Sequence, residues 1–285
     1  MTATVLITGC SSGIGAATVH RFAQAGWNVA ATLRNPAKAA FELEQGCVET
    51  FALDVTDPHA IDRATRQALE RFGAIDVLIN NAGYGLFGPF ETATSAMIER
   101  QFRTNVGGVL AVTRALLPHM RERGSGVVIN VASLSGLVAM PLYSLYAASK
   151  FAVVGFSEAL SHELAPLGIR VKVFAPGAVL TQFSGRSLAR TFDGDGGPYR
   201  DAIRHASAAF AHNRDSGAGM APEQLAQALY DAATEGSFQV RYVVGEDAQS
   251  LMQARSELGE EALLAAMRQR FGLAPAPVPA AKQDP

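Results

Sequence analysis

Cysteine, excess positive charge and long apolar runs are all scarce in this chain. Two cysteines stand among 285 residues, Cys10 and Cys47, and they form neither a CxxC pair nor a disulfide framework. That usage fits a reducing, cytoplasmic setting. No apolar run approaches the roughly 20 residues that cross a bilayer, and Met1-Thr2-Ala3-Thr4 lacks the basic and apolar blocks of a secretory leader, so no membrane span is expected. With 24 basic against 26 acidic residues the formal net charge is −2, and there is no basic field to grip a polyanion; nucleic acid is not an expected partner. The six histidines, His20, His59, His119, His162, His205 and His212, are scattered, and none forms a metal-ligand cluster with Cys or Glu. No metal is expected.

Apolar residues make up 48% of the chain, enough for one sizeable core. Short apolar runs alternate with helical periodicity. Runs at Thr4–Ile7, Asn28–Ala31, Thr50–Leu53, Val77–Ile79, Val127–Ile129 and Val171–Phe174 read as strands covered on both faces, because they do not alternate apolar with polar. Helices are expected over Gly13–Ala25, Asp57–Arg71, Thr94–Arg121, Tyr143–Ala165 and Pro222–Thr234. A further strand is expected at Gln239–Val244, then a charged C-terminal helix at 247–270. The repeat argues for an α/β fold with a doubly wound parallel sheet of about seven strands. One domain is expected over 1–273. Residues 183–199, dense in Gly and polar side chains, read as a lid or as a plain loop, and 274–285 as a disordered Ala/Pro-rich tail.

Directly after the first strand comes Thr8-Gly9-Cys10-Ser11-Ser12-Gly13-Ile14-Gly15, where a helix begins. Unpaired amides at a helix start favour phosphate, and missing Cβ atoms let a pyrophosphate approach the backbone. The same residues satisfy G-x-S-x-G with Ser11 as a hydrolase nucleophile. That reading fails, because an oxyanion hole needs an earlier strand-loop and only eight residues precede Gly9. After the second strand, Thr32-Leu33-Arg34 stands where an acid commonly meets the ribose 2′-hydroxyl of NAD. Arg34 suits a 2′-phosphate instead, so NADP(H) is favoured and NAD(H) is the alternative.

Tyr146 and Lys150 lie four residues apart on one helical face, about 6 Å along the axis. Upstream, Ser133 follows the strand at Val127–Val131. With these in place the chain resembles the short-chain dehydrogenase/reductase family, compact branch, over roughly Thr4–Thr181 in strict order. The matching segments are the TGxxxGIG turn of Thr8–Gly15, Asp54-Val55, Asn80-Asn81-Ala82-Gly83 and Pro176-Gly177 with Val179 and Thr181. Cys10 departs from the family's frequent Ala, and Ser12 stands where many NADP-specific members carry a second basic residue. Taken alone, Asp54 could cap the next helix, Asn81 could be a turn residue and Pro176-Gly177 a strand terminator.

The resemblance implies a Rossmann-type fold and a tetrad of Asn105, Ser133, Tyr146 and Lys150. Asp54 and Val55 would contact adenine, with Asn81, Ala82 and Gly83 beside the cofactor. Tyr146 would exchange a proton with the substrate oxygen. A free tyrosine titrates near 10, and the Lys150 ammonium is expected to stabilise its phenolate. Ser133 would hold the substrate oxygen, and Asn105 a water linked to Lys150. Expected substrate walls include Leu86, Met140, Tyr143 and Phe183. This apolar set points to a lipophilic carbonyl or alcohol, in keeping with a likeness to hydroxysteroid- and retinol-dehydrogenase-like members. Reduction of 3-oxoacyl thioesters and non-catalytic sensing of NADP(H) are the rivals. The family's habits imply a homodimer or homotetramer paired through Thr94–Arg121 and Tyr143–Ala165. The segment Gln253–Arg270 could cover either the sheet edge or the mouth of the site.

Overall fold

A computed structural model describes residues 2–39, 47–181, 187–215 and 219–275 of the protein. Seven parallel strands form one sheet: β1 (Thr4–Thr8), β2 (Asn28–Leu33), β3 (Cys47–Ala52), β4 (Val77–Asn80), β6 (Gly126–Val131), β7 (Ile169–Pro176) and β9 (Arg241–Val244), in spatial order β3-β2-β1-β4-β6-β7-β9. The order reverses between β1 and β4, which opens a crevice at the strands' C-terminal ends. This is the Rossmann-type doubly wound sheet expected from the sequence.

Both faces are covered, which explains the unbroken apolar runs. In β1, Val5 and Ile7 join a core with Phe22 of α1 (Gly13–Gln24) and Leu225 and Leu229 of α7 (Pro222–Thr234). Leu6, between them, faces a second core. There it meets Ile61 of α2 (Pro58–Phe72), Leu116 of α4 (Gly108–Arg123) and Leu160 of α5 (Ser144–Leu164). Successive strand residues point to opposite faces, so a strand buried on both sides needs apolar side chains at every position.

Several polar residues inside this core are paired, although Thr4 Oγ1 on β1 is buried without a hydrogen-bond partner. Asn80 donates to Thr113 Oγ1 and Asn130 Oδ1, both at 2.9 Å, and Asn130 donates to Ser157 Oγ at 2.9 Å. Lys172, fully buried on β7, binds Glu235 and donates to the Tyr242 hydroxyl at 2.7 Å. A buried charge without such partners would be costly.

Two helices differ from expectation. The stretch expected as one helix over Thr94–Arg121 is α3 (Ser95–Phe102) and α4, joined by a π-helical turn at Arg103–Gly107 that carries Asn105. The C-terminal helix is a pair, α8 (Glu246–Leu258) and α9 (Glu260–Arg270), broken at Gly259, whose φ of +80° suits glycine.

The span 183–199 holds a strand as well as a loop. β8 (Leu188–Arg190) pairs in parallel with β5 (Gly85–Phe87), and a short 3-10 turn at Gly197–Tyr199 leads into α6 (Arg200–Asp215). A glycine-rich composition does not announce a three-residue strand whose partner lies a hundred residues away. Residues 182–186 and 276–285 fall outside the described part, so the expected wall residue Phe183 and most of the expected tail are not placed. Among the described residues no helix is long and apolar enough to cross a membrane.

Candidate active site

A cavity of about 920 Å³ runs along the C-terminal ends of the strands. Six strands deliver residues at or just past their ends to it: Gly9 and Ser11 to Gly15 after β1, Arg34 after β2, Asp54 and Val55 after β3, Asn81 to Gly83 after β4, Ser133 after β6, and Pro176 at the end of β7 with Gly177, Val179 and Thr181 after it. Tyr146 and Lys150, from the first turns of α5, face the same space, as do Met140 and Tyr143. Residues far apart in sequence thus meet at the crevice.

The glycine turn is shaped by close approach. A Cβ on Gly15 would lie 2.3 Å from the Gly9 carbonyl oxygen, and one on Gly9 2.9 Å from Ala82 Cα. Asn81 braces this turn, its side-chain amide donating to Thr8 O at 2.9 Å and Gly9 O at 3.2 Å. Ser12 caps α1 from an extended conformation with no side-chain cap bond, so its hydroxyl does not occupy the helix's N-terminal amides. Open amides, flanking glycines and a long cavity fit a nicotinamide dinucleotide with its pyrophosphate at this helix start.

At the far end, Asp54 Oδ1 accepts hydrogen bonds from Thr56 N at 2.9 Å and Thr56 Oγ1 at 2.8 Å. Burial pushes the Asp54 carboxyl up, but these bonds and the charges of Arg34 and Arg103 outweigh it and hold the group below the usual carboxylate range. Arg34 is exposed beside it, at the rim.

At the near end Tyr146 and Lys150 are 8% and 6% exposed. Burial drives the Tyr146 phenol up to about 12, against a hydrogen bond with Ser133 that lowers it. Burial also brings Lys150 down to about 8, and its Nζ donates to Val131 O at 2.9 Å, 5.8 Å from the Tyr146 ring centre. The expected lowering of Tyr146 by Lys150 is therefore not what governs it; loss of solvent is the larger effect. Loss of solvent thus favours the neutral phenol of Tyr146.

Asn105 does not line the cavity. Its Nδ2 donates to Tyr84 O at 2.9 Å and Ser149 Oγ at 3.2 Å, and its Oδ1 accepts from Tyr84 N at 3.0 Å. A side chain engaged on both ends holds protein in place. The site is a π-helical turn, a distortion often found at functional positions. Gln101 and Ser149 belong to the same network, Gln101 Nε2 donating to Ser149 Oγ at 3.3 Å and Ser149 Oγ donating to Tyr146 O at 2.7 Å. Neither was picked out from sequence, since a buried Gln or Ser on an amphipathic helix carries no signal of its own.

Leu86 is corrected. It is 2% exposed and takes no part in the cavity wall; it lies within β5, opposite Ala189 of β8. Met140 and Tyr143 line the wall as expected, and the rest of it comes from segments that sequence left open. Leu188, Phe210, Leu251, Met267 and Phe271 line it, so α8 and α9 close the mouth of the site. Aromatic rings run outward from Tyr146: Tyr143 at 5.8 Å between centres, then Phe210 at 5.3 Å and Phe271 at 4.9 Å. Leu142, at φ +59°, turns the chain just before Tyr143 in a conformation unusual for leucine, and its carbonyl accepts from Gly88 N at 2.8 Å.

The short chain dehydrogenase family model matches residues 3–190. The chain belongs to this family of oxidoreductases. A 3-ketodihydrosphingosine reductase of Bacteroides thetaiotaomicron is 37% identical over 199 residues, 70% of this chain and 72% of that protein. Among solved structures, a short-chain dehydrogenase from Streptomyces avermitilis superposes with a TM-score of 0.78 at 33% identity, covering 93% of this chain and 98% of the other. A 3-ketoacyl-(acyl-carrier-protein) reductase from Brucella melitensis complexed with NADH gives a TM-score of 0.70 at 28% identity, over 85% and 96%.

Proposed function

We propose that this protein reduces a lipophilic ketone or aldehyde, or oxidises the matching alcohol, with NADP(H) as the hydride carrier. The observation that carries the reading is the buried Tyr146, hydrogen-bonded to Ser133 and opening onto a chamber walled by Met140, Tyr143, Phe210, Met267 and Phe271. The Bacteroides relative, named for a long-chain ketone, supports an apolar substrate.

When bound, the nicotinamide supplies or accepts the hydride. The chain's own residues hold the reacting carbonyl and move one proton. Ser133 donates to the carbonyl oxygen and fixes its place, and Tyr146 passes its phenolic proton to that oxygen as negative charge builds on it. Lys150, as an ammonium, holds positive charge beside the emerging phenolate. The Gln101–Ser149–Asn105 network keeps this turn of α5 in register. The apolar wall excludes water, which strengthens each of these polar contacts.

The test is NADPH absorbance loss with long-chain and oxo-steroid ketones. Turnover of such compounds supports the reading; tight NADPH binding without turnover on any carbonyl would replace it with non-catalytic binding.

Two expected results follow from the electrostatics. Removing the guanidinium in Arg34→Ala should cost about 10-fold or more in kcat/KM with NADPH and little with NADH, because a charge-assisted bond is worth about 1.5–3 kcal/mol. Equal losses with both cofactors would count against a 2′-phosphate at Arg34. Lys150 is an ammonium below about 8 and neutral above it. The kcat/KM for NADPH should accordingly be level on the acid side and fall as pH rises through that value; a flat profile to about pH 9.5 would show that the ammonium is not needed.

A further inference from the structure

The loop after β7 faces the cavity on one side and the C-terminal helices on the other. Its backbone is held by two segments. Met220 N donates to Ala178 O and Leu180 N to Met220 O, each at 2.8 Å, and Gly177 N donates to Val244 O at 2.9 Å. Asp247, in the first turn of α8, adds a side-chain bond: its Oδ2 accepts from Ala178 N at 2.8 Å.

The carboxylate is seated in a space made by two glycines. A Cβ on Gly177 would lie 2.0 Å from Asp247 Oδ1, and one on Gly245 2.8 Å from the same atom. A side chain at position 177 would push this carboxylate from its seat. Asp247 also lines the cavity, and the helix it begins carries Leu251 into the same wall. Farther along α8, Arg255 donates to Leu137 O at 2.7 Å, so this helix is moored to the segment after β6 as well. Asp247 lies beyond the residues 3–190 that the family model matches.

We propose that Asp247 is a positioning residue that ties the Gly177–Thr181 loop to the α8–α9 pair, so that the loop facing the nicotinamide and the outer wall of the substrate chamber become ordered together. The proposal rests on dinucleotide binding in this cavity. An acid in a helix's first turn also gains from the helix dipole, and that benefit alone would be a matter of stability. The two roles separate cleanly: Asp247→Asn loses the charge but keeps an oxygen that can accept from Ala178 N, whereas Asp247→Ala loses both.

The experiment is amide hydrogen exchange with and without NADPH, on wild type, Asp247→Asn and Asp247→Ala, with Kd for NADPH from its fluorescence. In wild type, NADPH should slow exchange both in the glycine turn and in residues 246–271. In Asp247→Ala the glycine turn should still be protected, residues 246–271 should not, and Kd should rise about fivefold to tenfold, the loss of roughly one hydrogen bond. Asp247→Asn should behave as wild type. Without NADPH, the Ala178 amide should exchange faster in Asp247→Ala alone.

A companion pair checks the steric side. Gly177→Ala should weaken NADPH binding, and adding Asp247→Gly should recover part of that loss. Coupled protection and unchanged Kd in Asp247→Ala would overturn the proposal, as would an Asp247→Asn variant as uncoupled as Asp247→Ala. A wild type that does not bind NADPH would instead defeat the functional reading, and faster exchange at Ala178 would still report on the tether.

Discussion

Tyr146→Phe should lower kcat by about 10²–10⁴, the worth of a positioned general acid, while leaving NADPH affinity within about threefold of wild type. The asymmetry follows from geometry. The phenylalanine ring fills the same buried space and keeps its edge contact with Tyr143, 5.8 Å between centres in the native protein. Only the hydroxyl is lost, and with it the hydrogen bond to Ser133 and the proton for the carbonyl oxygen. Single-turnover reduction together with a binding titration separates the two effects. A variant that still turned over within about tenfold of wild type would remove Tyr146 from the proton path.

Gly15→Ala should do the reverse, weakening binding before chemistry is reached. Its new methyl would sit 2.3 Å from the Gly9 carbonyl oxygen and 2.7 Å from Asn81 Nδ2. The first of these is backbone and cannot swing aside. Either the turn opens or α1 moves away from β4, and both disturb the amides that would hold a pyrophosphate. Kd for NADPH should rise by about 100-fold or more, equivalent to about 2.7 kcal/mol, and overpacking of this kind costs about 1–3 kcal/mol of stability. Fluorescence titration and a thermal melt read the two quantities. Near-native binding would mean that the turn can relax at little cost.

The parts of this molecule that could be read from sequence are those whose physics is local. A strand buried on both faces must be apolar throughout, so β1, β4 and β6 announced themselves, and the glycine turn and the Tyr146–Lys150 pair follow from spacing of a few residues. The resemblance to a known family then joined Ser133 and Pro176-Gly177 to them. What remained hidden depends on distant partners. Nothing near Leu86 says that Ala189 will lie opposite it, so an apolar residue of the small β5–β8 pair passed for a wall residue. The π-helical turn at Arg103–Gly107 spans five residues between two α-helices, too few to show a period of its own. The effect of burial on Tyr146 required knowing how completely α5 and its neighbours exclude water, and the sequence alone put Lys150's charge ahead of it.

The closure of the cavity by α8 and α9 bears on how such a protein could change over time. The groups that would carry out proton transfer lie before residue 180, whereas Leu188, Phe210, Leu251, Met267 and Phe271 of the outer wall all come after it. The outer wall is thus written largely in a later stretch of the gene than the groups proposed to move the proton, with Met140 and Tyr143 the wall's share of the earlier stretch. Drift in the later stretch can reshape what is admitted while the earlier stretch goes on doing the same reaction, provided that Asp247 still finds Ala178.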